Sequence, residues 1–175
     1  MIHAKYLIMF FFSLVCVFGG VSRIAAEEIP EVPDELALLL ERYTDKSDEL
    51  IRASIKHVNT DYRYGGASPE EGFDCSGFVQ WVFKEAVGKE LPRTAKAQSR
   101  FGRAVRRNEL EPGDLIFFNT LRRAFSHVGI YVGKGHFIHS PRTGAKIRVD
   151  DMRGKYWSQR FSGARRVVEN TFPRS

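Results

Sequence analysis

Apolar and polar positions divide this chain into three stretches. From Tyr6 to Val21 the residues are uncharged and include four phenylalanines. Lys5 precedes that run, and the small pair Ala25-Ala26 and the acidic pair Glu27-Glu28 follow it. This is the three-part layout of a secretory signal, assigned here to residues 1–26. At about sixteen residues the run is shorter than the roughly twenty that a membrane-spanning helix needs. A connector follows over residues 27–44, with Pro30 and Pro33 ahead of a helix-like stretch from Asp34 to Tyr43. Residues 45–170 form the body of the chain, about 125 residues, enough for one domain with its own core. Residues 171–175 are a short tail.

Within the body, the spacing predicts a helix over Ser47 to Val58, with Ser47 as its N-cap. Tyr62-Arg63-Tyr64-Gly65-Gly66 reads as an aromatic turn and Ala67 to Phe73 as a loop. Phe78, Val79, Trp81, Val82, Phe83, Ala86 and Val87 then recur at helical spacing and end at Gly88. They are apolar around most of the circumference, so this helix is expected to be central and buried. Thr94 is the expected cap of a shorter helix reaching Arg100. Past Pro112-Gly113 the period changes to that of strands, expected at Asp114 to Asn119, His127 to Val132, His136 to Ser140, Lys146 to Val149 and Arg160 to Val168. Helices first and strands later predict an α+β fold, a mainly antiparallel sheet packed on the buried helix.

Composition narrows the function. The chain carries 27 Lys+Arg against 21 Asp+Glu, a net charge of +6. Loss of Lys5 and Arg23 with the signal lowers this to about +4, spread through segments such as Arg103 to Arg107 and Arg122-Arg123. No block of like charge and no aromatic-interleaved platform marks a nucleic-acid surface, so no nucleic-acid partner is expected. One of the two cysteines, Cys16, lies in the signal run. Val15 ahead of it is not the small residue that lipid attachment favours, so no stable membrane insertion is expected once the signal is removed. Cys75 is then left without an intramolecular disulfide partner.

That thiol opens the buried helix in Asp74-Cys75-Ser76-Gly77-Phe78. The free amides and dipole of a helix N-terminus favour a thiolate, which predicts a lowered pKa and a nucleophile. His127 opens a strand and is a candidate base. If Gly133-Lys134-Gly135 is a three-residue hairpin loop, Val132 faces His136 and His139 faces Gly129, which puts His127 and His139 on one face as diagonal neighbours. A two-residue loop would instead make His136 the partner. His136 otherwise reads as a turn histidine and His57 as an ordinary helix residue. Oxyanion donors are expected from the Cys75 amide and from Tyr62 or Tyr64. No paired metal-ligand spacing, phosphate-binding loop, dinucleotide fingerprint or Gly-x-Ser-x-Gly elbow is present, so no metal and no cofactor are expected.

The runs Asp74-Cys75-Ser76-Gly77-Phe78-Val79, Leu91-Pro92-Arg93-Thr94, Glu111-Pro112-Gly113-Asp114-Leu115, Ser126-His127-Val128-Gly129-Ile130-Tyr131 and Phe137-Ile138-His139 resemble, in order, the motifs of the NlpC/P60 peptidoglycan peptidases. The resemblance runs from about Ser47 to Val168. It implies a papain-like fold and cleavage of peptidoglycan stem peptides between D-glutamate and a diamino acid. It makes Cys75 the nucleophile, His127 the base, His139 the third polar residue and Tyr62 the tyrosine near the oxyanion. Asp74 and Ser76 match positions that help bind the stem peptide, and Tyr64 falls at a variable one. Arg93 lies in a matching motif and is also readable as a structural ion pair. The chain is most similar to the small stand-alone members, implying a periplasmic wall enzyme; those members are often lipid-anchored, whereas this chain is expected to be an unanchored monomer. An amidase or acyltransferase on the same fold, and a silent wall-binding protein, are the competing expectations.

Overall fold

Asp74 fixes where the central helix begins. Its backbone is extended and its side chain accepts the Gly77 amide at 2.7 Å, so the helix starts at the next residue, Cys75. The full chain is represented by a computed structural model, and residues 46–120 and 123–168 are described. The signal, the connector with its Asp34-to-Tyr43 stretch, and the tail lie outside the described residues. Among the described residues, no helix is long and apolar enough to cross a membrane.

The elements run α1 (Lys46–Lys56), β1 (Ala67–Ser68), β2 (Gly72–Phe73), α2 (Cys75–Val87), α3 (Ala95–Gln98), β3 (Arg103–Val105), β4 (Leu115–Phe118), β5 (His127–Gly133), β6 (His136–His139), β7 (Arg148–Asp151), α4 (Lys155–Ser158) and β8 (Phe161–Arg166). β1 and β2 form a small hairpin, and the other six strands form one sheet in the order β3-β8-β4-β5-β6-β7. Every pairing in that sheet is antiparallel. This is the expected papain-like α+β arrangement.

α2 is the expected buried helix, with Phe78, Val79, Val82 and Phe83 all inaccessible to solvent. Gly88 ends it in the left-handed region, at φ 65°, where a side chain would be strained. Leu50 and Ala53 of α1 pack on α2, and both pack on Leu115, Phe117, Val128, Ile130 and Ile138 from one face of the sheet. The opposite face carries Ile116, Phe118, Phe137 and Ala164, covered by Leu110, Trp157 and Phe161. Both faces of β4 are therefore buried, which is why Leu-Ile-Phe-Phe reads as a continuous apolar run rather than an alternating one.

Several expectations change in detail. Ser47 lies buried inside α1 rather than ahead of it. The expected loop Ala67 to Phe73 contains the β1–β2 hairpin, too short to show a period. β3 was hidden in a basic segment because Val105 alone of its three residues is buried. Thr94 caps α3, accepting the Ala97 amide at 3.3 Å, and regular helix ends at Gln98 rather than Arg100. β7 is displaced to Arg148–Asp151, and the single turn of α4 has no counterpart in the pattern.

Asp114 and Arg166 tie the sheet together from inside. Arg166 Nε and Nη2 donate to the two Asp114 oxygens at 2.7 and 2.8 Å, with 5% and 1% of the two residues exposed. Glu111 adds a second carboxylate at 2.7 Å from Arg166 Nη1. A buried guanidinium that loses its main partner remains desolvated and only partly compensated. Asp114→Ala is therefore expected to lower stability by about 3 kcal/mol. In urea unfolding this reads as a lower midpoint at unchanged slope, with Asp114→Ala/Arg166→Met recovering part of the loss. An unchanged midpoint would refute this account.

Candidate active site

The hairpin that joins β5 to β6 decides which histidine meets His127. Gly133 pairs with His136, leaving only Lys134 and Gly135 in the turn. Both have positive φ, 52° and 81°, as tight hairpin turns favour. That turn alone would bring the wrong residues into line. However, the register shifts between Tyr131 and Gly133, and from there Tyr131 pairs with Phe137 and Ile130 with Ile138. One bulged residue thus restores the parity expected from a three-residue loop. His127 and His139 end on one face, with His127 Nε2 2.7 Å from His139 Nδ1.

Gly129 makes this closeness possible. A Cβ there would lie 2.8 Å from the Phe137 ring, 2.9 Å from the Ile138 carbonyl oxygen and 3.1 Å from His139 Cβ.

Cys75 reaches the same place from α2. It shares a cleft of about 550 Å³ with His127, Tyr62, Thr120 and Ser126, and with Pro141, Arg142, Arg148, Asp150, Tyr156 and Trp157. Larger cavities exist, one beside Leu110 and Tyr131 and one beside Trp81 and Leu91, but neither is lined by a cysteine. The backbone amides of Val128, Ser76 and Cys75 act on the sulfur to lower its pKa. They favour the thiolate, as a helix N-terminus should, yet they do not prevail. Burial, reinforced by the negative Asp74, pushes the thiol up to about 11, contrary to the lowered pKa expected from the sequence.

Burial also holds His127 well below the ordinary imidazole value, with His139 adding to the effect and Asp150 opposing it. The pair at rest is accordingly a neutral thiol beside a neutral imidazole.

The remaining predicted residues fall into two groups. Tyr62 is in the cleft, its phenol pKa raised by burial and by the neighbouring Cys75 and Asp74, so its hydroxyl stays protonated. Tyr64 projects into solvent, 87% exposed. Asp74 and Ser76 belong to a clamp beside Cys75. Arg93 grips both Asp74 oxygens at 2.9 and 2.7 Å and reaches Ser76 Oγ at 3.1 Å, while Ser76 donates to Asp74 at 3.2 Å. Burial works against the Asp74 charge, but Arg93 and the Gly77 amide outweigh it and hold the carboxyl below its usual range. His57 pairs with Glu85 at 3.2 Å, far from this chemistry, and His136 lines another cavity.

Three residues join the cluster without having been singled out in the sequence. Asp150 Oδ2 lies 3.0 Å from His139 Nε2. Arg148 donates to both Asp150 oxygens, at 2.9 and 3.2 Å. Trp157 stacks on His127, with centroids 5.6 Å apart, and donates its indole N–H to Asp150 at 3.2 Å. Strand alternation from His139 would point to Asp150 only once the β6–β7 register is known, and the connector between those strands hides it. Among the described residues, no group of three or more His, Cys, Asp or Glu side chains is arranged to hold a metal ion.

A helix-borne cysteine meeting histidines from the adjoining antiparallel sheet defines the papain-like class of fold. The model of the NlpC/P60 family matches residues 59–166, and the chain belongs to that family. It is 44% identical over 117 residues to an Escherichia coli protein named murein DD-endopeptidase MepH, covering 65% of this chain and 43% of that one. It is 39% identical over 126 residues to the Bacillus subtilis gamma-DL-glutamyl hydrolase, covering 71% and 30%. The chain thus spans less than half the length of these two relatives. An NlpC/P60 protein from Bacillus cereus superposes with a TM-score of 0.66 at 35% identity, over 70% of this chain and 40% of that one. The NlpC/P60 domain of the peptidoglycan hydrolase SagA superposes at 0.61 and 27% identity, over 69% and 97%.

A neutral resting pair has a direct signature. Thiolate absorbance of the free protein, titrated against a Cys75→Ser control, is expected to rise only above pH 9. A transition below pH 7 would mean a thiolate–imidazolium pair instead.

Proposed function

We propose that this protein is a peptidoglycan hydrolase of the cysteine-endopeptidase type, cleaving stem peptides at the γ-D-glutamyl–diaminopimelate bond. The observation that carries the reading is one cleft lined by both Cys75 and His127, with His139 bonded to His127 behind it, in a chain whose relatives bear the names of murein endopeptidases and a glutamyl hydrolase. Residues 1–26 read as an export signal, which accords with a substrate outside the cytoplasmic membrane and with a periplasmic or secreted enzyme.

In this mechanism Cys75 attacks the scissile carbonyl as His127 takes the thiol proton, forming a tetrahedral adduct. The Cys75 amide and the Tyr62 hydroxyl bind its oxyanion. His127 then protonates the departing amine, the acyl-enzyme remains, and water activated by His127 releases it. His139 keeps the His127 ring in place throughout. Asp74 and Ser76 flank the stem-peptide site in this reading. Their mutual bonds and those to Arg93 make holding the nucleophile helix their first task.

Mass spectrometry of purified muropeptides incubated with the full chain tests the bond and the nucleophile together. Fragments ending at D-glutamate, absent with Cys75→Ala, are expected; activity retained by Cys75→Ala would refute the thiol mechanism. The name of the Escherichia coli relative favours a second reading, cleavage of the D,D cross-link. That reaction would separate crosslinked dimers into monomers with intact stems. Tyr62→Phe is expected to lower kcat by roughly 10²-fold with KM nearly unchanged, as for the loss of one oxyanion donor. A loss expressed in KM would reassign Tyr62 to substrate binding.

A further inference from the structure

We propose that Asp150 is a positioning residue for this chemistry, whose carboxylate sets the tautomers of both histidines and leaves His127 Nδ1 as the atom that receives the Cys75 proton. The inference rests on the thiol reading above and extends it beyond His139.

It follows from counting protons along the line. An ionised carboxylate only accepts, so His139 must present a protonated Nε2 to Asp150 Oδ2 at 3.0 Å. A neutral His139 then has a bare Nδ1, which can only accept from His127 Nε2 at 2.7 Å. His127, also neutral, keeps its proton on Nε2 and has its lone pair on Nδ1. That nitrogen is the one nearer its own backbone and the one that His139 does not engage, in a ring that shares its cleft with Cys75. The base atom is thus defined by a group two residues removed from the thiol.

During attack, the S–H proton moves to His127 Nδ1 as sulfur bonds to carbon. The imidazolium formed keeps its Nε2–H on His139, and His139 keeps its Nε2–H on Asp150. Asp150 gains no proton; His139 and Arg148 hold its carboxyl far below the ordinary range. The proton on Nδ1 later leaves with the amine.

The surroundings suit this role. Trp157 of α4 bonds to Asp150 and stacks on His127, so one side chain holds both ends of the line and covers it from water. The groups facing His127 are His139 from β6, Asp150 from β7, Cys75 from α2, Tyr62, Arg142 and Tyr156 around the cleft, and the uncharged rings of Phe118 and Trp157. Arg148 faces Asp150 from the same strand and opposes it at His139. Of these groups, Asp150 raises the basicity of both rings, so its removal should lower both.

Asp150→Ala and Asp150→Asn test the inference, read by pH-dependent kinetics on muropeptides and by histidine ¹⁵N spectra of the full chain. Asp150→Ala is expected to lower kcat by roughly 10²-fold at similar KM, to move the acid limb of kcat/KM to lower pH, and to mix the His127 tautomers. Asp150→Asn keeps an acceptor for His139, so it should retain the Nε2–H tautomer while still shifting the acid limb. A purely structural role would reduce folded protein and plateau rate without moving the limb. An unmoved limb, or an unchanged tautomer in Asp150→Ala, overturns the proposal. Cys75→Ala in parallel separates the two claims. If it stays active, the thiol reading falls, while the spectra still decide whether Asp150 sets the tautomers.

Discussion

The pairing of β5 with β6 is the constraint on which the cleft depends. Side chains alternate across a strand, so a slip of one residue exchanges everything on one face for everything on the other. The tight turn at Lys134-Gly135 and the bulge before Gly133 together give the one parity in which His139 lies beside His127. Gly129 allows the second strand to close against the first, because any side chain there would strike Phe137 and the Ile138 carbonyl. Without the bulge the two imidazoles would face opposite layers of the domain, one toward α2 and one toward Trp157.

Electrostatics inside the cleft are a contest that burial wins. Three backbone amides act on the thiol to lower its pKa, the usual means of favouring a thiolate, and it is still raised because it is nearly enclosed and adjoins Asp74. The same enclosure lowers both histidines. Cys75 and the two histidines are therefore held neutral, and the charges are kept at the margins: Asp74 gripped by Arg93 on one side, Asp150 gripped by Arg148 on the other. For the proposed thiol mechanism, such an arrangement favours proton transfer coupled to bond formation over a preformed ion pair.

The motifs divide between chemistry and support. The Leu91-Pro92-Arg93-Thr94 run supplies the clamp that fixes Asp74 and the cap of α3. Glu111-Pro112-Gly113-Asp114 holds Arg166 and starts β4, and Gly113 donates its amide to the Tyr131 carbonyl at 2.8 Å. These residues keep α2 and β5 in fixed relation without touching the thiol. Short, recurrent sequence runs can thus reflect the demands of packing as readily as those of catalysis.

The sequence by itself determined what depends on neighbouring residues. The extent of α2, from Asp74 to Gly88, follows from a cap, an apolar period and a left-handed terminator. The alternation within β5 and β6 was legible in the same way, and so was the α+β order. Conditional on the loop, so was the meeting of His127 with His139. The tertiary structure decided the rest. Asp150 joins His139 across β6 and β7, whose register cannot be read through the connector from Ser140 to Ile147. Trp157 arrives on a single helical turn too short to announce itself. The direction of the Cys75 shift was misread because a helix N-terminus is a local feature, whereas burial is set by every element that folds over it.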